Sequence, residues 1–513
     1  MTRSLPTAGR RQTWMILLLG LILLPPAADA RPPLEPEVPP AFTRAEPLGA
    51  VIEVRQGGGA VIDLEGCVSE AMQANDLLRA ERLRADELQG QMKQALSTGL
   101  PTLDVIGDWS RGRDPSFALD STFGGGGDGG GLGAPPGSPT WFQDWLGGFG
   151  SFIPAPQDIP AQTFLRGSVD LNWKINPLKI MGATGAAKLG LRQQELSVAA
   201  VEHTTAEMTV EAYYSILRAA EKIRAVEAQL ANQTELVDIM KMRYELGMAT
   251  RLDTLQAAVT LANIVPQLSI ARARLRNEGS RLNAIMGRRP ETPLRVANQQ
   301  EVETGTLIEA RALELAQQRP ELAASALFVD ILQKNRQSQV ADNRPYLTVY
   351  GSYGYVGKTL DSVFDDGHDT WRASVALNVP VFDGLLNRGL AAETEGRIRR
   401  TEAELTGRRR EVQVEVLDLL ANLDMARQIL AAVILNQTRS EEVLEESLLM
   451  LQMGKVNYLD VLVSEANRAE ARSNVIDARY QVLVLTSTLK RAIGYSPLVP
   501  LNSIPGLVAE VSR

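Results

Sequence analysis

Met453-Gly454-Lys455-Val456-Asn457-Tyr458-Leu459-Asp460-Val461-Leu462 is the most telling break in a long helix-forming run. The 116 residues between Pro380 and Pro497 hold no proline, and helix formers dominate from Arg388 to Lys490. At roughly 1.5 Å per residue, a helix from Gly384 to Gly454 would reach about 105 Å, far beyond an average helix of about a dozen residues. The stretch therefore reads as a long helix that turns at Gly454, with a second helix returning beside it. The glycine accepts the left-handed conformation such a turn needs.

The pattern occurs twice. Leu171-Asn172 pairs with Leu377-Asn378 at an offset of 206, and Gly247/Gly454, Asp253/Asp460, Gly287/Gly494 and Pro290/Pro497 pair at 207. Upstream, Pro101/Pro345 and Leu78/Leu322 pair at 244. Each repeat then runs helix, strand, loop, strand, long helix, turn, long helix. The change of offset from 244 to 206 places 38 extra residues between the first pair of strands. That insertion contains the run Gly124–Gly131, broken only by Asp128, which is expected to hold no single conformation. Trp141, Phe142, Trp145, Phe149 and Phe152 follow it. They could cap a barrel mouth, sit in a lipid interface or pack on their own strands, and the sequence leaves the three open.

Four segments carry strand signals. Leu165, Gly167, Val169, Leu171, Trp173 and Ile175 alternate strictly with polar neighbours, as suits a strand between lipid and an aqueous lumen. Leu103, Val105 and Trp109 form a weaker case, with Ile106 breaking the rule. Leu347 to Tyr355 and Trp371 to Val379 complete the set. The same alternation could mark the edge of a soluble sandwich. An N-terminal helix is expected from an Asp63 cap to about Ser97, ending at Gly99-Leu100-Pro101. The first repeat's long arms are expected over Lys188–Leu246 and Ala249–Met286, with a kink at Pro266. Tyr213, Leu217, Ala220, Ile223, Val226 and Leu230 recur at helical spacing along one stripe. One hairpin cannot bury such a face alone, so partner chains are implied.

Arg3, Arg10 and Arg11 precede the apolar run Met15–Leu24, and Ala28-Asp29-Ala30 supplies a small-x-small site. Residues 1–30 thus read as a secretory signal peptide, and the apolar run is much shorter than the ~20 residues of a spanning helix. Residues 31–62 are a proline-rich leader, 63–290 the first repeat with a loop at 111–162, 291–497 the second repeat, and 498–513 a tail. Net charge is −8, and no basic patch points to nucleic acid. The single cysteine, Cys67, leaves no intrachain disulfide framework and reads as a small packed side chain. With only His203 and His368 as histidines, nothing supports a His/Cys metal site, a cofactor or a nucleophilic catalytic set. Gly351 to Thr359 imitates a phosphate loop but has five residues between its glycines instead of four. No other stretch approaches 18 consecutive apolar residues, so entry into a membrane would be by strands closed into a barrel.

Over roughly Val51 to Pro497 the chain resembles the TolC-like outer-membrane efflux proteins. The carriers are the two-fold repeat, Leu100-Pro101 and Arg344-Pro345 entering strands, and Pro380-Val381-Phe382-Asp383-Gly384 leaving one. The tip motifs add Tyr244-x-x-Gly247-x-x-x-x-x-Asp253 and Gly454-x-x-x-x-x-Asp460-Val461-Leu462. The resemblance implies an α+β membrane protein: a homotrimer in which four strands per chain build a 12-stranded β-barrel, continued by an α-helical coiled-coil barrel in the periplasm. It implies a passive outer-membrane channel without enzymatic activity, in contact with outer-membrane lipid. A periplasmic adaptor would link it to an inner-membrane pump of RND or ABC type, in tripartite efflux or type I secretion. Asp253 and Asp460 would constrict the periplasmic end, with Arg251 and Lys455 as ion-pair partners. The turns at Tyr244, Gly247, Thr250, Gly454, Asn457 and Leu459 would receive the adaptor. Pro101, Pro345, Pro380 and Gly384 would mark the passage from barrel to helix. The plainer reading of each aspartate is a solvated first-turn residue favoured by the helix dipole. In the tip motif, Leu451 replaces the tyrosine of the first repeat. The rival function is an exported coiled-coil structural protein without a pore.

Overall fold

The computed structural model describes residues 51–54, 60–112, 137–150, 161–299, 302–359 and 366–508. The signal peptide, most of the leader, the run Gly124–Gly131, Phe152 and the end of the tail lie outside the described residues. Short strands β1 (Ile52–Glu53) and β2 (Val61–Ile62) lead into helices α1 (Leu64–Ala74) and α2 (Asp76–Ser97) and strand β3 (Thr102–Gly112). Helix α3 (Thr140–Gly150) precedes β4 (Gln162–Ile175), which feeds α4 (Pro177–Glu245) and the returning α5 (Arg251–Ile285). The order then recurs as β5 (Arg295–Val296), α6 (Glu309–Ala316), α7 (Pro320–Val340), β6 (Tyr346–Gly357), β7 (Asp369–Asn378), α8 (Leu386–Gln452) and α9 (Tyr458–Ala492). Glu245 and Gln452, Arg251 and Tyr458, and Ile285 and Ala492 each differ by 207, so the helix ends repeat at the sequence offset.

Three local expectations need correction. The helix expected over 63–97 is two helices. Asp63 caps α1 as expected, but Asn75 is extended and its side-chain oxygen accepts from the N–H groups of Leu77 and Leu78. The same buried amide donates to the Ile285 carbonyl, tying the break to the end of α5. Second, α4 begins at Pro177 rather than near Lys188, with Asn176 as cap and proline in the first turn. Glycines disguised this segment. At Gly182 a Cβ would lie 2.7 Å from the Ser338 backbone nitrogen, so the residue serves close packing on α7. Third, the loop expected over 111–162 contains α3. Helix α5 continues without interruption through Pro266.

Strands β3, β4, β6 and β7 form one antiparallel sheet in that order. Register aligns Val105, Val169, Tyr353 and Trp371 in one row and Leu103, Leu171, Gly351 and Ala373 in another. One face is consequently apolar along most of its length, with Arg111, Thr163 and Asp369 only at its rim. The opposite face carries Asp104, Asp108, Arg166, Asp170, Lys174, Ser352 and Arg372. Ile106, the exception to alternation, sits on this polar face opposite Ser168. Each strand has 10 to 14 residues, enough for a tilted transmembrane strand of roughly 9–11 residues.

Below the sheet α4 is the hub, packing against α1, α2, α5, α7 and α9. The largest core cluster joins Tyr213, Ile216 and Leu217 of α4 to Leu282 and Met286 near the end of α5, Val296 of β5 and Tyr480 of α9. Burial in this cluster pushes the Cys67 thiol up to about 12. Thiolate is therefore scarce at pH 8, and iodoacetamide should leave the native protein unmodified while alkylating the urea-unfolded chain, as read by intact mass. The two helix-ending glycines at 287 and 494 share φ values of +71° and +86° but not surroundings. A Cβ at Gly287 would meet the Ala74 carbonyl oxygen at 2.2 Å, whereas at Gly494 the nearest atom is 3.7 Å away. Gly494→Ala should cost only the left-handed strain of about 1–2 kcal/mol. Gly287→Ala should lower the thermal midpoint distinctly further, and equal shifts would contradict the close approach.

Candidate functional site at the helix tips

The two hairpin turns are built alike. Gly247 and Gly454 both take φ +70°. The Met248 N–H donates to the Arg243 carbonyl at 2.7 Å and the Lys455 N–H to the Met450 carbonyl at 2.9 Å, the six-to-one bond of a glycine helix stop. Each returning helix then opens on a reciprocal cap. Thr250 Oγ1 accepts from the Asp253 N–H, while Asp253 Oδ2 accepts from the Thr250 N–H and hydroxyl. Asn457 Oδ1 accepts from the Asp460 N–H, and Asp460 Oδ2 from the Asn457 N–H. The first-turn reading of both aspartates thus has a definite local cause: each carboxylate holds a turn. The spacings Thr250-x-x-Asp253 and Asn457-x-x-Asp460 carried this signal in the sequence.

The remaining expected residues are scattered around these caps. Arg251 and Lys455 are exposed, and among the described residues neither forms an ion pair with Asp253 or Asp460 inside one chain. Tyr244 is exposed whereas its counterpart Leu451 is buried, and Leu459 is exposed beside the buried Tyr458. Leu246 and Met248 are 67% and 62% exposed, giving the first tip an apolar surface.

A seam that the sequence reading missed joins the two hairpins. Leu236, Val237 and Met240 of α4 pack with Ala257 of α5, Leu444 and Leu451 of α8, and Tyr458 and Val461 of α9. Gln233, fully buried, donates to the Ala257 carbonyl at 3.2 Å and to the Tyr458 hydroxyl at 3.1 Å. Arg243 donates to the Leu451 carbonyl at 3.0 Å, covering the C-terminus of α8. Burial raises the Tyr458 phenol above its usual range, the Gln233 hydrogen bond opposes this, and the Asp253 charge adds to it.

At the other end, Pro101, Pro345 and Pro380 lie between strand and helix. Gly384 takes φ +69° and Leu385 follows in the same left-handed region, the only non-glycine there among the described residues. Asp383 Oδ2 accepts from the Asn387 N–H and supplies the cap that Leu385 cannot. Asn176 donates to the Ala341 carbonyl, and Trp173 Nε1 to the Gly99 carbonyl, pinning β4 and α4 to their neighbours.

A two-faced sheet above paired long hairpins is the setting in which comparison with known proteins becomes decisive. The family model described as outer membrane efflux protein matches residues 162–288 and 313–495. The chain belongs to this family. It is 22% identical over 308 residues to the outer membrane protein TolC of Vibrio cholerae, covering 59% of this chain and 70% of that one. It is 22% identical over 327 residues to the alkaline protease secretion protein AprF of Pseudomonas aeruginosa, covering 61% and 67%. Among solved structures, the Campylobacter jejuni CmeC outer membrane channel superposes with a TM-score of 0.70 at 15% identity, over 85% of this chain and 87% of that one. The Vibrio cholerae outer membrane protein VceC gives 0.67 at 18% identity, over 84% and 96%. These relatives are channel and secretion proteins rather than enzymes, and family membership places this chain in the outer membrane as a channel.

Loss of either cap is measurable apart from channel behaviour. Asp253→Ala and Asp460→Ala should each cost about 1 kcal/mol locally, which corresponds to roughly fivefold faster hydrogen exchange of the first-turn amides. Exchange unchanged in both variants would show that the boxes contribute nothing to the tips.

Proposed function

We propose that three copies of this chain close a 12-stranded barrel across the outer membrane and continue it as a periplasmic tunnel of α-helices. The observation that carries this reading is the open sheet. Among the described residues, strands β3 and β7 have no further partner, and open edges are not tolerated in lipid. Four strands cannot close alone, and three copies give the 12 strands that the resemblance implies. Helix α5 supports the same assembly. Its most apolar 18-residue window is only 17% buried, and Leu252, Leu255, Val259, Val265 and Ile270 stand exposed, as fits a surface covered by a neighbouring copy.

The polar strand face then lines the lumen and the apolar face meets lipid. Transport is passive conduction of substrate from an inner-membrane pump through a periplasmic adaptor, in efflux or secretion. The exposed turns around Tyr244, Gly247, Thr250, Gly454, Asn457 and Leu459 are the docking sites for the adaptor. Asp253 and Asp460 form the periplasmic constriction, where threefold symmetry would crowd carboxylates and favour cations. Arg251 and Lys455 are available to pair with a neighbour's aspartates.

Planar-bilayer recording tests this with the purified mature protein. Wild type should form discrete pores, and a sample that is monomeric or electrically silent would end the reading. Asp253→Asn/Asp460→Asn should alter unit conductance or divalent-cation block, because it removes charge while preserving side-chain shape. Traces matching wild type would remove the gate assignment and leave the aspartates as caps.

A further inference from the structure

The apolar surface of α3 belongs to no element of the tunnel. The helix lies in the connection between Gly112 and Gln162, which pair with each other at the end of the sheet remote from α2 and α4. At about 100° per residue, Trp141, Phe142 and Trp145 fall within one arc of roughly 100°, and Gln143 and Asp144 fall outside it. The rings make one patch: Trp141 meets Phe142 edge-on at 5.8 Å, and Phe142 stacks on Trp145 at 6.0 Å. Trp141 is 69% and Trp145 57% exposed. We propose that this face is a membrane anchor, seated in the polar–apolar boundary of the outer leaflet. The proposal rests on the outer-membrane channel reading for its bilayer and adds a lipid contact outside the barrel wall.

The sheet itself marks the depth of that boundary. Its apolar face ends, on the same side as α3, in Trp109 of β3, Tyr353 and Tyr355 of β6 and Trp371 of β7. Trp109 and Trp371 are both exposed. Tryptophan and tyrosine concentrate at the bilayer interface because an apolar ring and a polar N–H or O–H are satisfied together there. Arg111 lies two residues beyond Trp109 on the same face, where a cation can reach lipid phosphates, and Asp369 stands opposite Tyr355 at the same rim, outside the apolar rows. The α3 patch is thus joined to the same end of the sheet as this aromatic belt, on the face proposed to meet lipid.

The lumen is a poor alternative seat. At this end the polar face presents Asp108 directly opposite Arg166, and Arg372 opposite Ser352, with Phe164 and Val356 as its apolar members. Laying indole rings over those charges would strip their water without supplying hydrogen-bond partners.

Reconstitution of the full mature protein in phosphatidylcholine vesicles, with or without chains brominated at carbons near the headgroup, reads the contact through tryptophan quenching. Wild type is compared with Trp141→Phe/Trp145→Phe, and the difference is the emission of the two helix tryptophans alone. That emission should fall by half or more in brominated vesicles, and a difference signal indifferent to bromine would overturn the anchor. A second variant, Trp141→Ser/Phe142→Ser/Trp145→Ser, should keep wild-type single-channel conductance. A rise in conductance would place α3 over the pore and also overturn the proposal. If the last variant fails to insert, the quenching pair still decides. A wild type that forms no pore refutes the channel reading, whatever the quenching shows.

Discussion

The unpaired edges of a four-stranded sheet are the constraint on which the rest of the structure depends. Strands β3 and β7 expose residues along their whole lengths, and each edge carries backbone N–H and C=O groups that hydrocarbon cannot solvate. At several kcal/mol for each unsatisfied group, one chain inserted alone would be untenable. Membrane residence is therefore coupled to closure by other strands. In the proposed assembly the same coupling accounts for the apolar residues on the surfaces of the long helices, since the copies that close the sheet bring their helices alongside.

Closure also demands that the two repeats hold a fixed relation inside each chain, and the region beneath the sheet supplies it. Arg319 at the start of α7 is almost wholly buried and pairs with Glu321 and with Glu415 of α8. Arg491 near the end of α9 pairs with Glu415 and with Glu207 of α4. Burial alone would raise the Glu415 carboxyl, but hydrogen bonds from Arg319 and Arg491 outweigh it and hold it below the usual carboxylate range. Lys490 pairs with Glu303, whose second oxygen accepts from the Leu501 N–H. Removing one partner from such a network leaves a buried charge uncompensated, a loss of about 3–5 kcal/mol in comparable cases. Pairing of this kind fixes geometry more than it adds stability, which suits a joint that must keep four strands and two hairpins in register.

How legible this was in the sequence depended on the range of each interaction. Strand faces and helix ends are local, set by alternation at Leu165–Ile175 and by glycines at 247 and 454, and these emerged close to their final bounds. The split at Asn75 was hidden because its cause is distant: an amide that reaches the Ile285 carbonyl. The early start of α4 was hidden because Gly182 reads as a helix breaker, yet it is what lets α7 approach. Gln233 looked like one more polar residue on a long helix. Its role exists only where α5 and α9 meet α4, and nothing periodic marks that crossing. The capping boxes are the exception, local and readable, but overshadowed by the charge of their aspartates.

Duplication gave the tips matching backbones, and divergence then gave them different surfaces. The turn bonds and caps coincide at the 207-residue offset, so the backbone alone would make the hairpins interchangeable. Their side chains break the equivalence. Leu451 and Tyr458 of the second hairpin are buried in the seam, whereas their counterparts Tyr244 and Arg251 in the first are exposed. The two hairpins are thereby held to each other within the chain, through Arg243, Gln233 and the apolar seam, while Tyr244, Leu246 and Met248 keep an open surface on the first. Any outward movement of one hairpin relative to the other must part that seam and break the Gln233–Tyr458 hydrogen bond. Movement of both together leaves it intact. On the proposed channel reading, the cheaper route at the tip is accordingly a concerted displacement of the pair, and the open surface of the first hairpin is where the proposed adaptor contact would act on both.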